Sequence, residues 1–149
     1  QGEYYLAVHV WIINSRGEFL IQKRSSTVLY NPNKWSLTSG SSIIGEDSYG
    51  TCVREVNEEL GIEPNMDYAK VILTLKREDN FCDVWLVHQD IDLDSCVLQV
   101  EEVSEIKWAT KKEIFKNKLV SKIVLLRKNN FLVILHNRSY TNLNKIYNM

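Results

Sequence analysis

Proline, glycine, cysteine and histidine are all scarce in this chain of 149 residues, with two, six, three and three copies. So little proline and glycine excludes a collagen-like array or a Pro/Gly-rich linker, and no internal repeat is present. Cys52, Cys82 and Cys96 are odd in number, and none lies within metal-clip spacing of another. They read as reduced thiols in a cytoplasmic setting, with neither a disulfide framework nor a zinc ribbon. His9, His88 and His136 are scattered and form no ligand motif. No uninterrupted apolar run exceeds five residues, far short of the ~20 that a membrane-spanning helix needs. The opening residues carry no signal-peptide pattern, so no membrane partner is expected.

What remains is ordinary for a globular protein: 44% apolar and 25% charged residues. A chain this long buries roughly 68–70% of its unfolded surface and needs no staples. Residues 1–149 are expected to form one α/β domain. The net charge of −1 hides an asymmetry: residues 1–110 carry 9 basic and 18 acidic side chains, residues 111–149 carry 9 basic and one acidic, Glu113. The basic C-terminal segment either lies on or beside the acidic body or is a tail that attracts phosphate or nucleic acid. The acidic body repels a polyanion unless a divalent cation intervenes, so no nucleic-acid partner is expected.

Tyr4 to Ile13 and Glu18 to Lys23 are rich in β-branched and aromatic residues and flank Asn14-Ser15-Arg16-Gly17, a strand–turn–strand pattern. Residues 25–34 read as loop, and Trp35 to Ser42 as a short strand running into a loop at Ser39 to Ser42. Residues 47–60 give the clearest helix, with an apolar face of Tyr49, Val53, Val56 and Leu60, a cap at Asp47 or Glu46 and a stop at Gly61. Ala69–Lys76 and Phe81–His88 read as a hairpin. Glu105–Trp108 reads as a strand, and Thr110 caps a helix running to about Lys118. Beyond that, Val120, Ile123, Val124 and Arg127 fit a continued helix and Phe131–Leu135 a strand. The Asn-rich last dozen residues read as frayed.

The helix carries the chemistry. At ~100° per residue, Glu55, Glu58 and Glu59 share an arc of about 100° beside the apolar face. Like charges at these spacings destabilise a helix by a few tenths of a kcal/mol per pair. A divalent cation turns that repulsion into binding, since Mg²⁺ is usually held by one or two carboxylates plus substrate phosphates.

The wider segment reads Gly40, five residues, Glu46, seven residues, Arg54-Glu55, Val56, one residue, Glu58-Glu59, one residue, Gly61, Ile62. At every fixed position this resembles the Nudix box of the Nudix hydrolase superfamily. His9 to Ser25 (HVWIINSRGEFLIQKRS) and Glu102 to Thr110 (EVSEIKWAT) resemble the flanking strands. The resemblance covers about residues 4–115; residues 116–149 form an atypical basic segment, and chains of this family often begin further upstream than Gln1 does.

The resemblance implies an α/β/α sandwich with a mixed β-sheet and a loop–helix–loop catalytic motif. It implies hydrolysis of a pyrophosphate bond in a small-molecule nucleoside diphosphate derivative, with Mg²⁺ or Mn²⁺ as cofactor and a homodimer as a common assembly. Carried over by position, Glu55, Glu58 and Glu59 bind the metal, with the Ser39 carbonyl as a further ligand. Gly40 allows a sharp turn beside the metal, Glu46 and Arg54 pair to hold loop to helix, and Gly61 ends the helix. Water attacks phosphorus, so no Ser or Cys nucleophile is needed, but a general base is. The candidates are Glu58 and an acid on the loop bearing Glu101, Glu102 and Glu105, of which Glu102 is preferred. Arg24 is a candidate for binding substrate phosphate, with Lys23 beside it. Trp11, Trp35, Trp85 and Trp108 read as core.

The opening HVWIIN and QKRS particularly resemble the branch containing isopentenyl-diphosphate isomerase. That branch has a Cys-Gly-His element where this sequence has Ser39-Gly40-Ser41. A serine hydroxyl is a far poorer proton donor or base than a thiol, and Ser41 cannot replace an imidazole ligand. Hydrolysis is therefore the expected activity. A non-catalytic nucleotide-sensing domain is the alternative, although the box glutamates are all intact.

Overall fold

The computed structural model describes residues 4–116, 123–128 and 131–136. Its centre is a mixed seven-stranded sheet. Strand β1 (Tyr5–Ile13) runs through the middle, followed by β2 (Phe19–Arg24), β3 (Trp35–Ser36) and β4 (Thr38–Ser41). Helix α1 (Ser48–Leu60) comes next, then β5 (Ala69–Lys76), β6 (Asn80–His88), β7 (Val103–Ala109) and helix α2 (Lys111–Lys116). The path β3-β2-β1-β6-β5 is joined by β4 on β1 and by β7 on β2. β1 and β6 are parallel from Tyr5↔Asn80 to Ile13↔His88, and the other pairs of this sheet are antiparallel.

Alternation along β1 divides the core between the two faces of the sheet. Val8, Val10 and Ile12 pack with Leu20, Trp85 and Val87 against Cys52, Val56 and Leu60 of α1. Ala7 and Trp11 pack with Ile21, Leu37, Val84 and Leu86 on the other face, where Ile114 of α2 joins them. A helix on each face of the sheet is the expected α/β/α sandwich.

Three expectations are corrected. Ser39 to Ser41 is not loop: it belongs to β4, where His9↔Ser39, Val8↔Gly40 and Ala7↔Ser41 pair with β1. The backbone register of β1 supplies partners that the polar side chains of this stretch do not advertise. The apolar face of α1 is also rotated: Tyr49 is 53% exposed and touches Trp85 edge-on, while Cys52, Val56 and Leu60 are fully buried. The small Cys52 lets the helix roll toward its own side. Finally, Ile123–Lys128 is a strand (β8), paired antiparallel with Phe131–His136 (β9), because short β-branched apolar runs suit a strand better than a helix. Val120, Lys118 and the last dozen residues lie outside the described residues. Among the tryptophans, Trp11 and Trp85 are buried, and Trp35 and Trp108 are partly buried against the two core clusters.

Candidate active site

The site is built on α1 and its two ends. Asp47 caps the helix, its side chain accepting from the Gly50 amide at 2.7 Å. Gly61 ends the helix at φ 66°, and a Cβ there would also run into the backbone of Val97. That close approach lets the Val97 and Gln99 amides donate to the carbonyls of Leu60 and Glu59 at 3.0 and 3.2 Å, satisfying groups that a helix end otherwise leaves unpaired. The Glu102 amide in turn donates to the Gln99 carbonyl at 2.9 Å. The C-terminus of α1 thereby fixes the loop that carries Glu102.

Arg54 is the hub of the acidic cluster. Its Nε and Nη2 donate to the two carboxylate oxygens of Glu46, each at 3.0 Å. Its Nη1 donates to Glu55 at 2.8 Å and Glu58 at 3.0 Å, and Nη2 also donates to the Ser41 carbonyl at 2.9 Å. One guanidinium thus ties the loop before α1, the helix and β4 together. The Arg54 hydrogen bonds hold the Glu46 carboxyl down to about 2. Burial has the opposite effect on Glu55, raising its proton affinity although Arg54 opposes the rise. Gly40 of β4 lies directly over the Glu55 carboxylate, and a Cβ at Gly40 would occupy the space of those oxygens.

Glu59 departs most from the helical-wheel expectation. It is not on a solvated acidic face but is 5% exposed, turned with Val56 and Leu60 toward the sheet. Its Oε2 accepts from Gln22 Nε2 at 2.7 Å, and Gln22 Oε1 accepts from Thr38 Oγ1 at 2.9 Å. Burial pushes its carboxyl up to about 8, opposed by the Gln22 hydrogen bond; the charges of Glu55 and Glu102 raise it further. Glu58, by contrast, is half exposed. Sequence reasoning passed over Gln22; its signal was a polar residue inside the apolar alternation of β2.

Arg24 Nε donates to the Tyr30 carbonyl at 2.9 Å, and its Nη2 lies 3.9 Å from Glu102. Lys23 stands 3.6 Å from Glu105. Ser39 and Arg24 line a cavity of about 330 Å³ beside the acids. The structure thus gathers Glu46, Arg54, Glu55, Glu58 and Gly40 in direct contact. Glu59 and Glu102 lie close enough to feel each other's charge, and Ser39 lies on the adjoining strand.

The donor set suits a hard divalent cation: carboxylates outnumber the single guanidinium among them, Glu59 is buried with the neutral Gln22 amide as its hydrogen-bond donor, and the missing Cβ of Gly40 leaves room for the Glu55 carboxylate. Among the described residues no three acidic, His or Cys side chains form a ready-made cage.

The NUDIX domain model matches residues 3–131. The chain is 39% identical over 114 residues to the uncharacterised Nudix hydrolase lmo0368 of Listeria monocytogenes, covering 76% of this chain and 68% of that protein. It is 33% identical over 126 residues to Nudix hydrolase 3 of Arabidopsis thaliana, covering 75% of this chain and 16% of that one. Among solved structures, a Deinococcus radiodurans protein superposes with a TM-score of 0.66 at 21% identity, over 79% of this chain and 74% of that one. A MutT protein from Methanosarcina mazei does so with a TM-score of 0.61 at 24% identity, over 80% and 86%. At these identities the structural likeness speaks for the fold.

Proposed function

This chain belongs to the Nudix family, whose hydrolases act on pyrophosphates and generally use divalent metals, and we propose that it cleaves the pyrophosphate bond of a nucleoside diphosphate derivative by attack of water at phosphorus. The observation that carries this reading is the Glu59 carboxylate, buried against Gln22 beside Glu55 and raised to about 8. Burial makes the charged form of Glu59 costly unless a cation stands beside it, and Glu55, with Gly40 over it, adjoins it at the metal-facing positions of the box.

Glu55, Glu58 and Glu59, with the Ser39 carbonyl, are the residues that hold Mg²⁺ or Mn²⁺. A divalent metal held by these residues would supply charge neutralisation at the phosphate oxygens and a more acidic water. Everything else belongs to the chain. Gln22 orients Glu59 through its 2.7 Å hydrogen bond. Arg54 draws the loop of Glu46 and the strand of Ser41 onto α1 and so positions Gly40 over Glu55. Arg24 binds a phosphate oxygen. Glu102, 45% exposed on the loop held by the end of α1, takes the proton from the attacking water; Glu58 is the other acid exposed enough for that task. The substrate in this reading is a small-molecule nucleoside diphosphate derivative, in keeping with the small nucleotide-derivative substrates of the Nudix family.

The test is phosphate or nucleotide release from a panel of diphosphate derivatives with Mg²⁺, Mn²⁺ or excess chelator. Metal-restored activity that Glu59→Gln abolishes in a folded protein supports the assignment. A fully active Glu59→Gln removes it.

A further inference from the structure

The cavity beside β4 contains donors that the acidic cluster leaves unused. Arg77, at the turn between β5 and β6, has its Nε and Nη2 buried with no hydrogen-bond partner, and Ser36 Oγ on β3 is buried and unpartnered as well. Both residues line the same cavity of about 330 Å³, together with Arg24, His9, Ser39 and Ser41. Ser36 is 9% exposed. Among the described residues no carboxylate lines this cavity, although residues 1–110 as a whole carry twice as many acids as bases.

We propose that Arg77, with Ser36 and Arg24, forms an anion subsite that receives a second, non-scissile phosphoryl group of the substrate. Arg77 is partly buried, and its Nε and Nη2, shielded from water with no acceptor, lose their hydration without compensation. A buried hydroxyl with nothing to bond carries its own penalty. Orphaned donors from β3 and from the β5–β6 turn, gathered in one cavity, share one remedy: an oxyanion that accepts from both. A tetrahedral phosphoryl group offers several acceptor oxygens to a guanidinium fork and a hydroxyl at once.

The cavity also adjoins the acidic cluster through a single strand. Successive residues of β4 alternate between the two: Ser39 and Ser41 line the cavity, while Gly40 lies over Glu55. The cavity and the acids thus lie on opposite faces of β4, and because β4 pairs with β1 alone among the described residues, a substrate engaged at the acids reaches the Arg77 side past the free edge of that strand. The volume is at the lower end of the ~300–1,000 Å³ typical of ligand sites, so the group received is compact. This inference rests on the proposed pyrophosphohydrolase reading and narrows its substrate to compounds bearing an oxyanion beyond the cleaved bond.

The test is calorimetric titration of inorganic phosphate, and in parallel acetate, into the full chain in excess chelator. The wild type is expected to bind phosphate at one site and acetate more weakly. Arg77→Met should weaken phosphate at least tenfold, the loss expected for a charge-assisted hydrogen bond, and should melt no lower than wild type because it removes two shielded donors that have no acceptor. Arg77→Lys and Ser36→Ala provide second variants, each expected to weaken phosphate binding severalfold. In turnover, Arg77→Met should raise KM about tenfold with kcat held within about twofold. Equal phosphate affinity in wild type and Arg77→Met overturns the subsite, as does acetate binding as tight as phosphate. Arg77-dependent phosphate binding without any hydrolysis overturns the hydrolase reading and leaves the subsite standing.

Discussion

Glu59→Gln separates the cost of a buried acid from its use. The Glu59 carboxyl is raised by burial from 4.5 to about 8, so the folded chain holds this proton more tightly than the unfolded chain does. Its contribution to stability is complete below about pH 4.5 and is lost as the pH rises through 8. At ~1.4 kcal/mol per pH unit, the metal-free protein loses about 3 kcal/mol by pH 7 and about 5 kcal/mol above pH 8. That is a large share of the ~5–15 kcal/mol that holds a domain together. The amide introduced by Glu59→Gln keeps an oxygen to accept from Gln22 Nε2 and carries no charge. In chelator the variant should match the wild type near pH 5 and exceed it by about 3 kcal/mol at pH 7. With a urea slope of ~1–3 kcal/mol/M, this is a midpoint shift of about 1–3 M. Saturating Mg²⁺ should reverse the order, stabilising the wild type by linkage and the variant much less. The assay is urea unfolding at pH 5, 6, 7 and 8, with chelator and with Mg²⁺. A stability difference independent of pH, or a variant less stable than wild type in chelator at pH 8, refutes the reasoning.

Arg54→Ala should lose stability and activity together, since Glu46, Glu55, Glu58 and the Ser41 carbonyl all bond to that side chain. Because Arg54 holds Glu46 down to about 2, the wild type keeps this stabilisation until the pH falls from 4.5 toward 2, whereas the variant lacks it at neutral pH; parallel acid titrations followed by circular dichroism read the difference. Gly40→Ala should abolish Mg²⁺-dependent stabilisation by displacing the Glu55 carboxylate; an unchanged Mg²⁺ shift in melting temperature disproves that role for Gly40. With Ser39 and Ser41 where the isomerase branch has Cys and His, no deuterium should enter isopentenyl diphosphate from solvent, and proton-exchange NMR at turnover rates of about 1 s⁻¹ or faster would overturn this.

Helix α1 was legible because its signals are local: Asp47 caps it, Gly61 stops it and the box spacing runs between them. The strands with strong β-branched patterns, β1, β2, β5 and β6, were legible for the same reason. β4 was not, since Thr38 to Ser41 becomes a strand only through its register with β1. The roll of α1 was hidden because a wheel treats Tyr49 and Cys52 by hydrophobicity alone, while packing favours the side chain small enough to approach the sheet. That roll converts Glu59 from a surface acid into a buried one. Arg77 and Ser36 carried no pattern at all, being brought to one cavity from distant parts of the chain by tertiary structure.

The central claim, metal-assisted attack of water on a phosphoanhydride at the Glu55–Glu59 site, is tested most directly by turnover in heavy-oxygen water. Nucleoside triphosphates, nucleotide sugars, dinucleoside polyphosphates and prenyl diphosphates are incubated with Mg²⁺, with excess chelator and with Glu59→Gln. Wild type with Mg²⁺ should place one solvent oxygen in a phosphate-bearing product, and chelator or the variant should place none. Labelled product formed in excess chelator, or product formed with Mg²⁺ that carries no solvent oxygen, contradicts it.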